Sequence, residues 1–179
     1  MTPRPDWPKR LFDAVMSGCL LLLLSPLLIA IALLVRIRLG SPVIYRQERP
    51  GRGGRLFTIY KFRTMRPDDG RVRQRWASTD DPRITLIGRF LRATRLDELP
   101  QFFNVLKGEM NIVGPRPEQP DIFAELHDEL GSRYGHRQKV LPGITGLAQV
   151  TLGYDTDLEG VRRKVDMDLA YIRKRSASA

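Results

Sequence analysis

The chain has 179 residues, a formal net charge of +10 and one cysteine, Cys19. The length suits one catalytic domain, and a single cysteine excludes an intramolecular disulfide and a CxxC metal site. The two histidines, His127 and His136, are too few for a zinc site, and we interpret both as surface or helix residues. The basic excess favours anionic partners, which are nucleic acid, anionic lipid headgroups or phosphorylated substrates.

The first predicted element is an apolar segment from Ala14 to Val35 that contains no charged residue. As a helix it would be roughly 33 Å long, which is enough to span the hydrocarbon core of a bilayer. A signal peptide is a poor explanation, because the apolar part is too long and residues 35–38 form no small-residue cleavage site. The segment is therefore predicted to lie in the membrane, either as a spanning helix or as one that enters and returns.

Two features of this segment favour the helix that returns. Pro26 has no N–H for the carbonyl of Leu22, so the helix should kink, and the hydroxyl of Ser25 can satisfy part of the freed backbone. Basic residues also flank both ends of the segment, and the positive-inside bias places both flanks on the cytoplasmic side. The flanking residues are Arg4, Lys9, Arg10, Arg36 and Arg38. A Pro-kinked spanning helix remains the alternative.

After Gly40 the pattern changes to short β-prone runs and amphipathic helices. Residues 43–45 and 56–60 flank a turn rich in Pro and Gly and predict a β-hairpin, which a polar loop from Pro67 to about Pro82 follows. Helices are predicted over Ile84–Thr94, Pro100–Leu106, Glu118–Leu130 and Asp157–Arg175, and a short strand over Met110–Val113. The apolar face of the last helix can cover the core or lie on the bilayer surface, and the core is favoured.

The predicted fold class is α+β, mainly helical. It combines an N-terminal re-entrant membrane helix over residues 1–39, kinked at Ser25-Pro26, with a small cytoplasmic catalytic domain over residues 40–179. That domain contains the β-hairpin and amphipathic interfacial helices, and we expect it to form one structural unit with the membrane helix.

An adjacent carboxylate pair, Asp97-Glu98, is the first candidate for chemistry. Three arginines precede the pair, and we expect it at a helix N-terminus, where negative charge is stabilised. An aspartate kept ionised there could attack phosphorus, or hold Mg²⁺ together with substrate phosphate oxygens. The alternative is an ordinary solvated surface pair.

Two further groups of residues suit phosphate binding. Lys61 and Arg63 alternate along a predicted strand, so they should point to the same side and clamp a phosphate or diphosphate. Arg116 lies between Pro115 and Pro117, which fix the backbone around it and favour bidentate recognition of phosphate. The alternatives are an ordinary basic strand face and an exposed proline-rich turn.

Together these stretches resemble one family, the bacterial sugar transferases, also described as small monotopic phosphoglycosyl transferases. The matching motifs are KRLFD (9–13), the membrane segment with Ser25-Pro26, PVIYRQ (42–47), KFRTM (61–65), LRATRLDELPQ (91–101), NVLKGEM (104–110), VGPRP (113–117) and PGITG (142–146). They occur in order over most of the chain, and their combination is specific although no single motif is.

The resemblance implies transfer of a sugar-1-phosphate from a UDP-sugar to undecaprenyl (polyprenyl) phosphate, the first membrane step in making a glycan such as an exopolysaccharide. Asp97 matches the family's nucleophile, which attacks the β-phosphate, releases UMP and holds the phosphosugar covalently. Glu98 matches the second member of the family's dyad, and Mg²⁺ is the implied cofactor, bound with Asp97. The implied substrate-binding residues are Lys61, Arg63, Arg92, Pro115, Arg116 and Pro117.

The resemblance also implies a monotopic protein on the cytoplasmic face of the bacterial inner membrane, with membrane lipids as partners and no nucleic acid. A homodimer stays open. Many members continue after Gly146 with Trp-Ala-Gln-Val-Asn-Gly-Arg, whereas residues 147–155 here are LAQVTLGYD, which leaves contacts to the nucleotide or sugar, and the sugar itself, open. Because only a short leader precedes the membrane segment, we expect the minimal catalytic form.

Two non-enzymatic interpretations remain as alternatives. One is a membrane-tethered nucleic-acid-binding protein, although the sequence has no helix-turn-helix, RRM or KH pattern. The other is a membrane scaffold, which would leave the carboxylate pair and Arg116 without a purpose.

Overall fold

The computed structural model of the chain describes residues 7–66, 81–152 and 158–177 and shows an α+β, mainly helical architecture, which confirms the predicted class. The helices are α1 (Trp7–Leu23), α2 (Ser25–Leu39), α3 (Leu86–Ala93), α4 (Gln101–Lys107), α5 (Pro120–Leu130), α6 (Ser132–Gly135), α7 (Leu147–Thr151) and α8 (Leu158–Ala177). The strands are β1 (Ile44–Pro50), β2 (Leu56–Phe62), β3 (Asn111–Val113) and β4 (Gly143–Thr145). The polar loop predicted after residue 66 lies outside the described residues up to residue 80.

The N-terminal apolar segment forms two helices, and the break between them confirms the predicted kink. The axes of α1 and α2 are bent by 64° at this break. The hydroxyl of Ser25 donates a hydrogen bond to the carbonyl of Leu22 at 2.8 Å, the carbonyl that loses its usual partner because Pro26 has no N–H. Over the described residues no single helix is long and apolar enough to cross a bilayer, whereas α1 and α2 together meet that test as a bent pair.

Polar side chains of α1 attach this helix pair to the rest of the protein. Arg10 donates hydrogen bonds to the carbonyls of Val105 and Leu106 at the C-terminal end of α4, where the helix dipole favours a cation. Asp13 is 2% exposed and accepts from Lys9 Nζ at 2.5 Å and from the backbone N–H of Ile112 at 3.4 Å. Arg10 and Asp13 therefore connect α1 to α4 and to β3.

The apolar face of α2 packs on the β-hairpin and α3. Ile31 and Val35 of α2 share a buried cluster with Phe62 of β2 and Leu91 of α3. Strands β1 and β2 pair antiparallel, with Ile44 opposite Phe62 and Pro50 opposite Leu56, which confirms and extends the predicted hairpin. The N-terminal helices and the hairpin therefore share a core.

A second, parallel strand pair was not predicted and joins two distant motifs. Asn111 of β3 lies opposite Gly143 of β4, and Val113 lies opposite Thr145. A Cβ atom on Gly143 would lie 2.1 Å from the backbone nitrogen of Gly114, so only glycine allows this approach.

The C-terminal helix covers a third part of the core, as the sequence predicts. Val161 and Val165 of α8 are buried with Ile122 and Leu126 of α5 and with Tyr134 of α6. Tyr171 of α8 also donates a hydrogen bond to the carbonyl of Val113 in β3 at 2.9 Å.

Candidate active site

The two carboxylates lie in a short 3₁₀ turn, Leu96–Glu98, between α3 and α4. The turn begins after Arg95, which takes the left-handed conformation (φ 58°), and the N–H of Glu98 bonds to the carbonyl of Arg95 at 3.1 Å. Asp97 and Glu98 are each 6% exposed, so the interpretation as a solvated surface pair is wrong. Their predicted place just before a helix is confirmed, because α4 begins at Gln101.

Glu98 is an ionised anchor for two cations. Its Oε1 accepts hydrogen bonds from Lys61 Nζ at 2.8 Å and from Arg116 Nη2 at 3.0 Å. Burial alone would raise the pKa of Glu98, but Arg116 and Lys61 outweigh burial and lower it to about 2. Glu98 therefore stays charged at neutral pH and holds both Lys61 and Arg116.

Asp97 has the opposite environment. Its Oδ1 is buried and has no hydrogen-bond partner among the described residues. Burial raises the pKa of Asp97 and the charge of Glu98 adds to that rise, while Lys61, Arg92 and Arg95 oppose it. A buried acceptor atom without a partner beside several cations is suited to a reacting phosphorus or a ligand atom.

Arg116 reaches Glu98 from the segment after β3. The N–H of Gly114 bonds to the carbonyl of Thr145, and the N–H of Gly143 bonds to the carbonyl of Pro115, both at 2.9 Å. Pro115 and Pro117 are buried, whereas the side chain of Arg116 is 32% exposed, so it can contact both Glu98 and a ligand.

The other two arginines predicted to bind phosphate, Arg92 and Arg63, have different surroundings. Arg92, half-buried at the end of α3, is near enough for its charge to lower the pKa of Asp97. Arg63 does not share a clamp with Lys61: it is 7% exposed and donates to the backbone carbonyls of Leu39 and, at 2.8 Å, Ser41. Strand β2 ends at Phe62, so strand alternation no longer sets the direction of Arg63.

Asn104 is a structural residue of the site for which the sequence assigned no role. It is fully buried, donates to the carbonyl of Thr58 and to Glu109, both at 2.7 Å, and accepts from the N–H of Tyr60 at 3.2 Å. These bonds fix α4 on the edge of β2 and so set the distance between Glu98 and Lys61. The only available signal was its place in the NVLKGEM motif.

The donor set fits a magnesium ion that is shared with substrate. Among the described residues no three His, Cys, Asp or Glu side chains form a metal-binding group. Mg²⁺ commonly takes one or two carboxylates and completes its shell with water and substrate phosphates, so the unpaired Oδ1 of Asp97 is a suitable protein ligand.

A family match and the similarity to individual relatives agree on the family of this chain. The sequence matches the family described as bacterial sugar transferase over residues 5–179. A UDP-glucose:undecaprenyl-phosphate glucose-1-phosphate transferase of Klebsiella pneumoniae is 46% identical over 169 residues, which are 92% of this chain and 36% of that protein. The corresponding enzyme of Escherichia coli K12 is 45% identical over 168 residues, 93% of this chain and 36% of that protein.

The name of a third relative gives a different sugar, N-acetylgalactosamine in place of glucose. A UDP-N-acetylgalactosamine-undecaprenyl-phosphate N-acetylgalactosaminephosphotransferase of Aeromonas hydrophila is 42% identical over 165 residues, 92% of this chain and 39% of that protein. The chain thus spans between 36% and 39% of the length of these three relatives. The family match and these identities confirm the resemblance carried by the motifs: the chain belongs to the bacterial sugar transferase family.

Proposed function

We propose that this chain transfers a sugar-1-phosphate from a UDP-sugar to undecaprenyl phosphate, with a covalent phosphosugar on Asp97 as the intermediate. The names of the three relatives share a UDP-sugar donor and an undecaprenyl phosphate acceptor and differ in the sugar. The proposal therefore covers the donor class and the acceptor, and leaves the sugar to experiment.

The observation that carries the proposal is the buried, unpaired Oδ1 of Asp97 beside a carboxylate that holds two cations. In the first step a carboxylate oxygen of Asp97 forms a bond to the β-phosphorus of the donor. The bond from this phosphorus to the bridging oxygen breaks, and UMP leaves with the electron pair. In the second step a phosphate oxygen of the acceptor attacks the same phosphorus, and the Asp97 carboxylate is released.

The cations have defined parts in both steps. Lys61, Arg92 and Arg116 orient the diphosphate and offset the negative charge that would repel the Asp97 carboxylate. Glu98 holds Lys61 and Arg116 in place through its ionised carboxylate. When bound by Asp97 and substrate phosphates, Mg²⁺ would supply further neutralisation of phosphate charge.

The decisive experiment combines a panel of UDP-sugars with purified protein, undecaprenyl phosphate and Mg²⁺, and measures UMP release and the intact protein mass. We expect release and a phosphosugar adduct with at least one sugar, and loss of both in Asp97→Asn by about a thousandfold or more. The matched control is Asp128→Asn, an exposed acid on α5, which should keep full activity. Wild-type turnover by Asp97→Asn would disprove the nucleophile.

We further propose that α1 and α2 enter the membrane from the cytoplasmic side of the inner membrane and return to it. Large apolar side chains on both helices are exposed, among them Leu22 at 78% and Ile37 at 77%, which suits contact with lipid. Single cysteines placed near residues 5 and 45, in a background without Cys19, should both react only from the cytoplasmic side. Reaction from opposite sides would show a spanning helix instead.

A further inference from the structure

The segment that carries Arg116, residues 113–117, is fixed by side chains from α8, from β1 and from the 3₁₀ turn His136–Lys139, besides the β3–β4 pair. We call it the arginine segment. Tyr171 Oη donates to the carbonyl of Val113 at 2.9 Å. Arg137 Nη2 donates to the carbonyl of Arg116, and Arg49 Nη1 donates to the carbonyl of Pro117, each at 3.1 Å.

These contacts remove the torsional freedom that the prolines leave. A proline ring fixes φ, but ψ stays soft and sets the direction of the carbonyl that follows. The carbonyls of Pro115, Arg116 and Pro117 each accept a hydrogen bond, and Pro115 and Pro117 have fixed φ values. The backbone on both sides of the Arg116 side chain is therefore held from several directions.

Arg137 is itself held more firmly than an ordinary surface arginine. Its Nε donates to Asp168 Oδ2 at 2.7 Å, and the two side chains are only 9% and 4% exposed. Its guanidinium also lies over the ring of Tyr134, 5.0 Å from the centroid. Burying such an ion pair costs desolvation energy. In this fold the pair holds the Arg137 guanidinium so that its second donor, Nη2, points at the carbonyl of Arg116.

We infer that Arg137, oriented by Asp168, is a positioning residue for phosphosugar transfer that acts through the carbonyl of Arg116. The inference rests on the proposed function, since it requires Arg116 to act on the donor's phosphates. Arg137 fixes the backbone of Arg116, and the Arg116 guanidinium is thereby kept at Glu98, the residue that follows Asp97. Arg137 itself does not touch the substrate.

The first test removes the buried pair without leaving a lone buried charge. We expect Arg137→Met combined with Asp168→Leu to lower kcat for UMP release at least about tenfold, because small displacements of a binding group reduce rates strongly. The matched control is Arg133→Met combined with Asp166→Leu, an exposed ion pair that joins α6 to α8. The control pair should keep the wild-type kcat.

A second variant separates positioning from stability. Arg137→Lys keeps a positive charge beside Asp168, but one ammonium group cannot reproduce the fixed fork that reaches both Asp168 and the Arg116 carbonyl. We expect Arg137→Lys to retain most of the thermal midpoint and still show the reduced kcat. Recovery of kcat together with the midpoint would mean that Arg137 is only structural, and would overturn the inference.

A double-mutant cycle tests the route through Arg116. If Arg137 acts only by placing Arg116, then Arg137→Lys combined with Arg116→Met should lose no more activity than Arg116→Met alone. Losses that multiply would overturn the inference. Wild-type turnover in Asp97→Asn would instead overturn the proposed mechanism and this inference with it, whereas an inactive Asp97→Asn beside a fully active Arg137→Lys would overturn only the inference.

Discussion

Two segments meet at Glu98, and the structure holds them in opposite ways. The turn Leu96–Glu98 presents Asp97, whose Oδ1 is buried without a hydrogen-bond partner among the described residues. The arginine segment, residues 113–117, has carbonyls that accept hydrogen bonds from Tyr171, Gly143, Arg137 and Arg49. The two segments therefore differ in how their polar atoms are satisfied: the carbonyls around Arg116 accept hydrogen bonds from several elements, whereas one carboxylate oxygen of Asp97 is buried without such a partner among the described residues.

The largest effect beyond loss of the nucleophile is expected where the two segments touch. Arg116→Lys removes the planar fork that can reach Glu98 and a phosphate together, while it keeps the charge. We expect kcat for UMP release to fall by about a hundredfold, since a lost transition-state donor costs on that order. An exposed arginine, changed in the same way in Arg133→Lys, is the control.

The kinetic constants of Arg116→Lys show whether Arg116 acts on the transition state or on substrate binding alone. If Arg116→Lys raised KM and left kcat unchanged, Arg116 would bind ground state and transition state equally, and its rigid support would serve affinity alone.

Glu98→Gln tests the anchoring role of the carboxylate and is expected to act mainly on stability. In the folded protein the pKa of Glu98 is about 2, below its ordinary value of 4.5, so its ionised form favours folding. This contribution is complete above pH 4.5 and is lost as the pH falls toward 2. At pH 7 we expect the variant to lose about 3 kcal/mol of unfolding free energy, because Lys61 and Arg116 lose the carboxylate that pairs with both of them.

Urea unfolding at several pH values measures this difference. The free energies of the wild type and Glu98→Gln should differ most above pH 4.5 and converge toward pH 2. Glu125→Gln, an exposed glutamate on α5, is the control and should match the wild type throughout. A difference that stayed constant with pH would mean that Glu98 does not anchor the cations through its charge.

Local chemistry predicted the parts of this fold that depend on neighbours in the chain. The kink follows from Pro26, and the structure shows the expected bond from Ser25 to the carbonyl of Leu22. The hairpin follows from two β-prone runs around a glycine-rich turn. The carboxylate pair was placed correctly before α4 because Pro100 is typical of a helix start.

Contacts between distant positions carried no such signal. The short strand predicted over Met110–Val113 is confirmed as β3, but its parallel pairing with β4 was not predicted, because it depends on the close approach that Gly114 and Gly143 allow. The buried pair of Arg137 and Asp168 could not be inferred, because an ion pair leaves no pattern in the residues around either partner. The phosphate clamp of Lys61 and Arg63 was predicted from the alternation of side chains along a strand. Strand β2 ends at Phe62, one residue before Arg63, which instead donates to backbone carbonyls.

The smallest expected effect is a shift in the pH dependence of kcat for UMP release, which follows from the different surroundings of Asp97 and Glu98. Asp97 must be ionised to attack phosphorus, and burial raises its pKa, so kcat for UMP release should fall on the acid side through that raised pKa. Lys61 is the strongest opposing influence on this pKa. Lys61→Met should therefore raise the pKa of Asp97 further and move the acid limb to higher pH.

The control for this displacement is Lys107→Met, at the end of α4, whose ammonium pairs with Glu109 at 2.7 Å. Its acid limb should coincide with that of the wild type. If Lys61→Met lowered kcat equally at every pH, Lys61 would act only by orienting phosphate. The pKa of Asp97 would then depend on burial, on Glu98 and on the arginines Arg92 and Arg95, and not on Lys61.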